Sequence, residues 1–496
     1  MRERVKRPPS STMTESFWKP KTDSAVEHRF SHELWIHLVH VRMLEKQGIV
    51  SSSHCSDISA VIVELEDLGA GVLEIDGTVE DLYSYTERYL ARRLGPDVGG
   101  RLHTGRSRND LGATSGRMVL RETMLRLLSE FARLRHAVLD LAEDHRETVM
   151  PGYTHCQHAQ PITMGYYFLA FADHLQRDWH RCMEALRHTN QSPLGAGALA
   201  GTSFPLDRVY CAENLAFDGL LETAYDAVSS RDDGQEATAA LAVLMTAVSR
   251  LAVDLQSWST QEFGFIELAD EHSSVSSIMP QKKNPICLEH LRAEAARVTG
   301  CLTAALAVAK NTTFSEVIDG AAGVETPVRE AAEITIRSLR LMTEVLERMS
   351  VFPERMAISA ARGFGTATEL ADTMVRDFGL SFRTSHNIVA AVVGKAIGNG
   401  KRADQITVCD VIDAGQAVLG RRLDISEASL RQALNPVLNV ARRDIIGGPA
   451  PHVVSECLRD RRKVLSDHRA MIDAMQTKIR ESRAAVFARE RAGGLG

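Results

Sequence analysis

The sequence predicts an all-α protein built around five long helices. Three observations predict it. An apolar 4-3 spacing recurs in five separate segments, one of them runs from Arg117 to Met150 without glycine or proline, and aromatic residues make up only 5% of the chain, which disfavours a β-sandwich or barrel. A chain of 496 residues is also too long for one ordinary core.

The elements follow in order. The opening MRERVKRPPSSTM is basic but lacks an apolar stretch, so it fits no secretory leader. Residues 1–24 are expected to be a disordered extension, with Met13 an alternative start. Residues 25–109 read as short helices and loops, a small N-terminal helical domain. Residues 110–350 carry the five rods. Leu120, Met124, Leu127, Phe131, Leu134, Val138 and Leu141 form the first seam, and Pro151-Gly152 is read as its stop. The later seams run through Met164–Leu186, Leu241–Trp258, Leu288–Ala305 and Val328–Met349, with Thr335 the polar member of the last. Such stripes imply a helical bundle and are core packing, without chemistry of their own. Residues 351–496 restart at Pro353 and break at Gly363, Gly379 and Gly398-Asn399-Gly400, which predicts a separate small helical domain.

A net charge of −6 and a pI near 6.3 provide no basic field for nucleic acid, so any anion site must be local. Eight scattered cysteines without a CxxC pair argue for reduced thiols in the cytoplasm and against a zinc framework. No run approaches the ~18 uncharged apolar residues of a membrane span, so no membrane partner is expected.

Three polar clusters interrupt the apolar beat, each beside a rod end. HTGRSRND, His103 to Asp110, offers forked guanidinium donors with Ser107 and Asn109 at a helix N-terminus, an anion site in outline. Taken alone, RSRND reads first as an Arg-rich helix cap on a solvated face. In GYTHCQHAQP, Thr154, His155, Gln157 and His158 put hydroxyl, imidazole and amide within five residues, the makings of a proton shuttle. No acidic third ligand stands at a usual zinc spacing, so no metal is expected. In SSVSSIMPQKKNP, Asn284-Pro285 reads as the cap and first residue of the fourth rod, with Lys282 and free backbone N–H groups facing Ser276 and Ser277.

Rod length adds a constraint. At ~1.5 Å per residue, a rod over 117–150 separates its ends by roughly 50 Å. Arg108 and His155 therefore cannot meet within one subunit. If they serve one pocket, different subunits supply them, which predicts an obligate homo-oligomer.

Together the clusters resemble the signature regions of the fumarase/aspartase superfamily, most closely its argininosuccinate lyases. SPLGAGALAGTSFPLDR, Ser192 to Arg208, and ATELADTMVRDFGLSFRTSHNIV, Ala367 to Val389, are similar too. The resemblance implies a three-domain fold around the bundle, a homotetramer, and composite sites each built from three subunits. It implies cofactor-independent β-elimination from a small dicarboxylate, an N-substituted succinate, to give fumarate and an amine. Ser276 would take the Cβ proton, with Ser277 beside it the other candidate. Ser107, Arg108, Asn109, Thr154, Lys282 and Asn284 would cradle the doubly charged intermediate, with Gln157 among the substrate contacts. His155 would assist protonation of the leaving nitrogen, directly or through Thr154.

The nitrogen side departs from that pattern. Glu316, Ala321 and Val324 stand where the argininosuccinate lyases carry a tyrosine, a glutamine and a lysine. Leu111, Val275 and Ile286 replace a glutamine, a glycine and an aspartate, Glu33-Leu34-Trp35-Ile36-His37 replaces a DIxGS-like run, and the segment before it is shortened. The expected substrate is therefore another nitrogen-substituted succinate, such as ethylenediamine disuccinate or nitrosuccinate. Argininosuccinate itself and a non-catalytic, crystallin-like scaffold are the alternatives.

Overall fold

A computed structural model describes residues 7–493 of the chain. Its elements nearest the site are labelled here in chain order: helices α1 (Lys19–Lys46) and α2 (Arg108–Asp144), strands β1 (Val149–Thr154) and β2 (Gln157–Thr163), helices α3 (Met164–Thr189) and α4 (Asp232–Trp258), the two-residue strands β3 (Ser274–Val275) and β4 (Lys283–Asn284), and helices α5 (Ile286–Ala309), α6 (Ala322–Arg348) and α7 (Pro451–Gly493).

The five rods are α2 to α6, and they alternate in direction. The beginning of α4 lies beside the beginning of α2, where Arg117 Nη2 stands 3.4 Å from Asp233 Oδ1. The end of α5 returns there too, with Gln235 Nε2 donating to Ala305 O at 3.3 Å. One end of the bundle thus gathers residues 107–117, 189–192, 231–235 and 305–325. The opposite end gathers the β1–β2 hairpin, the end of α4, the β3–β4 hairpin and the end of α6, where Ser350–Val351 pairs with Ile266–Glu267.

The predicted seams are the contact surface. Met124, Leu127, Phe131, Leu134 and Val138 are fully buried in α2, as are Leu244, Val248 and Leu255 in α4. Thr335 is buried on the α6 seam because its Oγ1 donates to Ala331 O at 2.7 Å, satisfying the hydroxyl within the helix. Among the described residues α4 alone is long and apolar enough to cross a membrane, and most of it is buried in the bundle.

Four expectations are corrected. The first rod stops at Asp144, capped by His145, and does not reach Met150. Residues 149–163 pair instead as an antiparallel hairpin with Pro151 opposite Pro161. Proline forces its predecessor into extended backbone, so Pro151 begins to act before its own position. Gly152 sits at the register shift beside Pro151, where a Cβ would meet Gln160 O at 2.6 Å.

The segment expected to be a disordered extension is helical from Ser11 to Lys46, through a wider π-turn at Thr14–Trp18. Tertiary contacts hold it: Thr14 Oγ1 donates to Gly77 O at 3.3 Å, and Thr22 is buried. Residues 1–6 of that expectation lie outside the described residues. The expected C-terminal unit over 351–496 divides. Residues between Leu370 and Leu434 have their own small core, whereas Val454, Leu458, Leu465, Ile472 and Ile479 of α7 belong to the main core. Last, α5 begins at Ile286 with Pro285 as its capping residue, and Asn284 is a strand residue, not the cap.

Candidate active site

At the first end, the sequence Ser107-Arg108-Asn109-Asp110 closes a capping box. Ser107 Oγ accepts from Asn109 N at 3.2 Å and Asp110 Oδ1 accepts from Ser107 N at 2.9 Å. The other Asp110 oxygen accepts from Gly195 N at 3.1 Å and Gly197 N at 3.0 Å, so this buried carboxylate ties the glycine-rich loop to the start of α2. Burial pushes its pKa up to about 6, against the pull of those N–H donors and Arg106. Gly197 has φ +62° and its Cβ position lies 2.8 Å from Gly201 O, so a side chain there would open the loop. Asn109 Nδ2 donates to Ala198 O at 3.1 Å.

Arg108 is less free than its sequence suggests. Its Nη1 lies 3.0 Å from Glu80 Oε2 and 2.8 Å from Asp81 Oδ2. Beneath it, Glu33 is buried and burial pushes its carboxyl up to about 7. These groups open onto a cavity of about 570 Å³ lined also by Arg29, Arg231, Glu316, Glu325 and Arg329. Arg231 Nη2 pairs with Glu316 Oε2 at 3.0 Å, and Arg29 pairs with Glu325. Ala321 lines the cavity and Val324 lies just behind it, both buried. Sequence reasoning did not single out Arg29, Arg231, Glu325 or Arg329. The available signal was the charge of Glu325 and Arg329, one turn apart where the fifth rod begins.

At the opposite end, Thr154 and Gln157 close a two-residue turn whose tip is His155-Cys156, all four exposed. Both tip residues are left-handed, with φ +53° and +58°, the hand that matches hairpin twist. In the other hairpin, Ser276 Oγ accepts from Ile278 N at 3.3 Å and Met279 N at 3.0 Å. Asn284 Nδ2 donates to Ser274 Oγ at 3.4 Å. Lys283 is paired with Glu267 at 2.9 Å and Asp270 at 2.7 Å, whereas Lys282 makes no ion pair among the described residues.

One protomer thus brings Ser107, Arg108 and Asn109 together at one end, and holds Thr154, His155 and Gln157 in one hairpin and Ser276, Ser277, Lys282 and Asn284 in another at the far end. Tyr153 and Phe263, whose rings are 5.8 Å apart, link that first hairpin to the segment leading towards the second. The 37 residues of α2 set the two ends ~55 Å apart.

Comparison with known proteins gives the family. The family described as Lyase matches residues 12–300, and the one described as Argininosuccinate lyase C-terminal matches residues 364–441. Argininosuccinate lyase 1 of Shouchella clausii (strain KSM-K16) is 39% identical over 474 residues, 95% of each chain. The argininosuccinate lyase of Methanosarcina acetivorans is 41% identical over 426 residues, covering 85% of this chain and 84% of that protein. The crystal structure of EDDS lyase in complex with formate superposes with a TM-score of 0.88 at 33% identity, over 99% of this chain and 97% of that one. A class II fumarase from Schistosoma mansoni, 15% identical, shares the fold with a TM-score of 0.69 over 86% of this chain and 92% of its own. Rods, signature clusters and relatives spanning nearly the whole chain lead to one assignment: the chain belongs to the fumarase/aspartase superfamily, in its argininosuccinate-lyase-like branch, and is an enzyme of the fumarate-forming carbon–nitrogen lyase class.

Proposed function

We propose that this enzyme cleaves a nitrogen-substituted succinate other than argininosuccinate, without a cofactor, in a cytoplasmic homotetramer whose sites each draw on three subunits. Ser276 removes the Cβ proton, the electrons pass into the adjacent carboxylate, and the resulting dianion expels nitrogen as fumarate forms. The two backbone N–H groups on Ser276 Oγ favour its alkoxide, which supports Ser276 over Ser277 as the base. Lys282, unlike Lys283, is available to the developing charge. Ser107, Arg108, Asn109, Thr154, Gln157 and Asn284 position the succinyl group, and His155 delivers the proton to the departing nitrogen. The separation of the ends of α2 supports composite sites, because no bending of one protomer brings them together.

The observation that carries the substrate reading is the Arg231–Glu316 pair beside buried Ala321 and Val324. A carboxylate locked to a guanidinium and two aliphatic side chains leave arginine's polar groups without their expected partners, and buried polar groups left unpaired discriminate by ~10⁴–10⁵. The relatives named as argininosuccinate lyases favour the second reading, argininosuccinate itself. Fumarate release, followed by absorbance, decides between them. Turnover of ethylenediamine disuccinate or another N-substituted aspartate well above argininosuccinate is expected; efficient turnover of argininosuccinate alone defeats the proposal.

A further inference from the structure

Near the N-terminal ends of α2, α4 and α6 the apolar packing of the bundle leaves a gap. Leu120 belongs to the first seam yet is only partly buried, packed against Val324 and Val328 of α6. With Ala113 and Gly116 of α2, Gly234 of α4 and Ala332 of α6, these side chains enclose a space of about 90 Å³. Where small residues face one another across helices no side chain reaches the middle, and close-packed interiors seldom leave so much room.

The space opens towards the site. Ser24, Arg29, Arg231, Glu325 and Arg329 line both it and the cavity of about 570 Å³ assigned above to the nitrogen side, so the two are contiguous. Charges at the junction are matched within the protomer: Arg29 with Glu325, Arg231 with Glu316 at 3.0 Å, and Arg117 with Asp233 at 3.4 Å. Gly116 makes room for the first pair, because a Cβ there would stand 3.2 Å from Glu325 Oε1. Behind that paired rim the wall is mostly hydrocarbon.

We propose that this side pocket receives a branched alkyl group of about three or four carbons carried by the departing amine. A cavity of about 150 Å³ accepts the six carbons of benzene, which scales to roughly that number here. The inference rests on the carbon–nitrogen lyase reading above and goes beyond it, since neither ethylenediamine disuccinate nor argininosuccinate ends in an apolar group.

Run in reverse, the reaction supplies the test, because the amine lone pair adds to one fumarate carbon and a proton goes to the other. The intact enzyme is incubated with fumarate and near-isosteric apolar and polar amines: leucine against asparagine, and isopentylamine against 3-aminopropanamide. Glycine and methylamine serve as truncated references, phenylalanine as an oversized one, and ethylenediamine and arginine run alongside. Adducts are identified by mass and kcat/KM for each amine is compared. In at least one pair the branched alkyl member should be preferred by about tenfold or more, at about fourfold per buried methylene. Phenylalanine, whose ring needs about 150 Å³, should fall below leucine. Ala332→Leu and Ala113→Val, which fill the space from opposite walls, should each shrink the preference severalfold through KM for the branched amine, with glycine and methylamine moving little.

Polar members used as well as their alkyl partners overturn the inference, as does phenylalanine used better than leucine. A preference untouched in Ala332→Leu, or in Ala113→Val should the first variant not fold, overturns it too. Adducts from ethylenediamine or arginine but from neither pair defeat this inference and leave the lyase reading standing. No adduct with any amine defeats both.

Discussion

Asp110 shows how one side chain can organise a site it does not touch. It closes the cap of α2 and accepts two N–H groups from the Gly195–Gly197 loop. Each bond to a charged acceptor contributes ~1.5–3 kcal/mol, so Asp110→Ala should lower stability by about 3 kcal/mol or more and make that loop sensitive to limited proteolysis. Unchanged melting and cleavage would remove Asp110 from this role. Glu33 carries a pH signature. Its carboxyl is raised from 4.5 to about 7 by burial, so the fold holds its proton more tightly than the unfolded chain does. Its favourable contribution is full below about 4.5 and is lost as pH rises through about 7. Glu33→Gln should therefore gain in Tm over the native enzyme between about pH 5 and about pH 8, by an amount corresponding to roughly 2–3 kcal/mol. A difference that stays flat with pH would reject the assignment. Among the proposed catalytic groups, Ser276→Ala should abolish fumarate release with assembly intact, and Ser277→Ala should retain it. Asn284→Ala should lose ~10²–10³ in kcat, the usual effect of removing one donor from a developing anion. The sequence could propose these residues because hydroxyl, amide and guanidinium groups stood out against apolar seams. Arg231 and Glu325 at the cavity were not proposed, because a surface-type charge acquires meaning only when its neighbours' partners are known.

The elements divide in the same way. The five rods were readable because a coiled-coil-like seam repeats locally, and most seam residues are buried, with Leu120, Leu141, Phe171 and Leu302 partly buried against the same core. The β1–β2 hairpin was not. Its turn carries none of the glycine or asparagine that usually marks two left-handed residues, and its prolines suggested only a helix stop. Left-handed backbone costs a residue with a side chain ~1–2 kcal/mol, so Cys156→Gly should stabilise the hairpin by up to about 1 kcal/mol, net of the glycine entropy, and raise Tm. A lower Tm would show that contacts of Cys156 outweigh its backbone strain. The helix over Ser11–Lys46 escaped for a different reason: its early residues have little apolar periodicity and are fixed by distant groups such as Gly77.

At the scale of the molecule, α2 keeps the Arg108 and Ser276 regions apart, and this has a measurable consequence. Arg108→Ala and Ser276→Ala homo-oligomers should each be nearly inactive. Co-refolded as a mixture, they should recover a substantial share of activity, because some composite sites then draw intact residues from different subunits. Recovery no greater than the sum of the separate variants would place the whole site in one protomer. Val243 and Val253 are exposed apolar residues on α4, a rod most of which is buried in the bundle.

By itself the sequence determined the helical class, the five seams and the polar clusters between them, since periodicity and capping are short-range properties that a chain carries wherever it is placed. Only the tertiary structure decided where the first rod ends, that the last helix returns to the main core, and which charges around the nitrogen-side cavity cancel. Those depend on residues far apart in sequence meeting in space, and the balance of attraction and desolvation between them is not written in any local pattern.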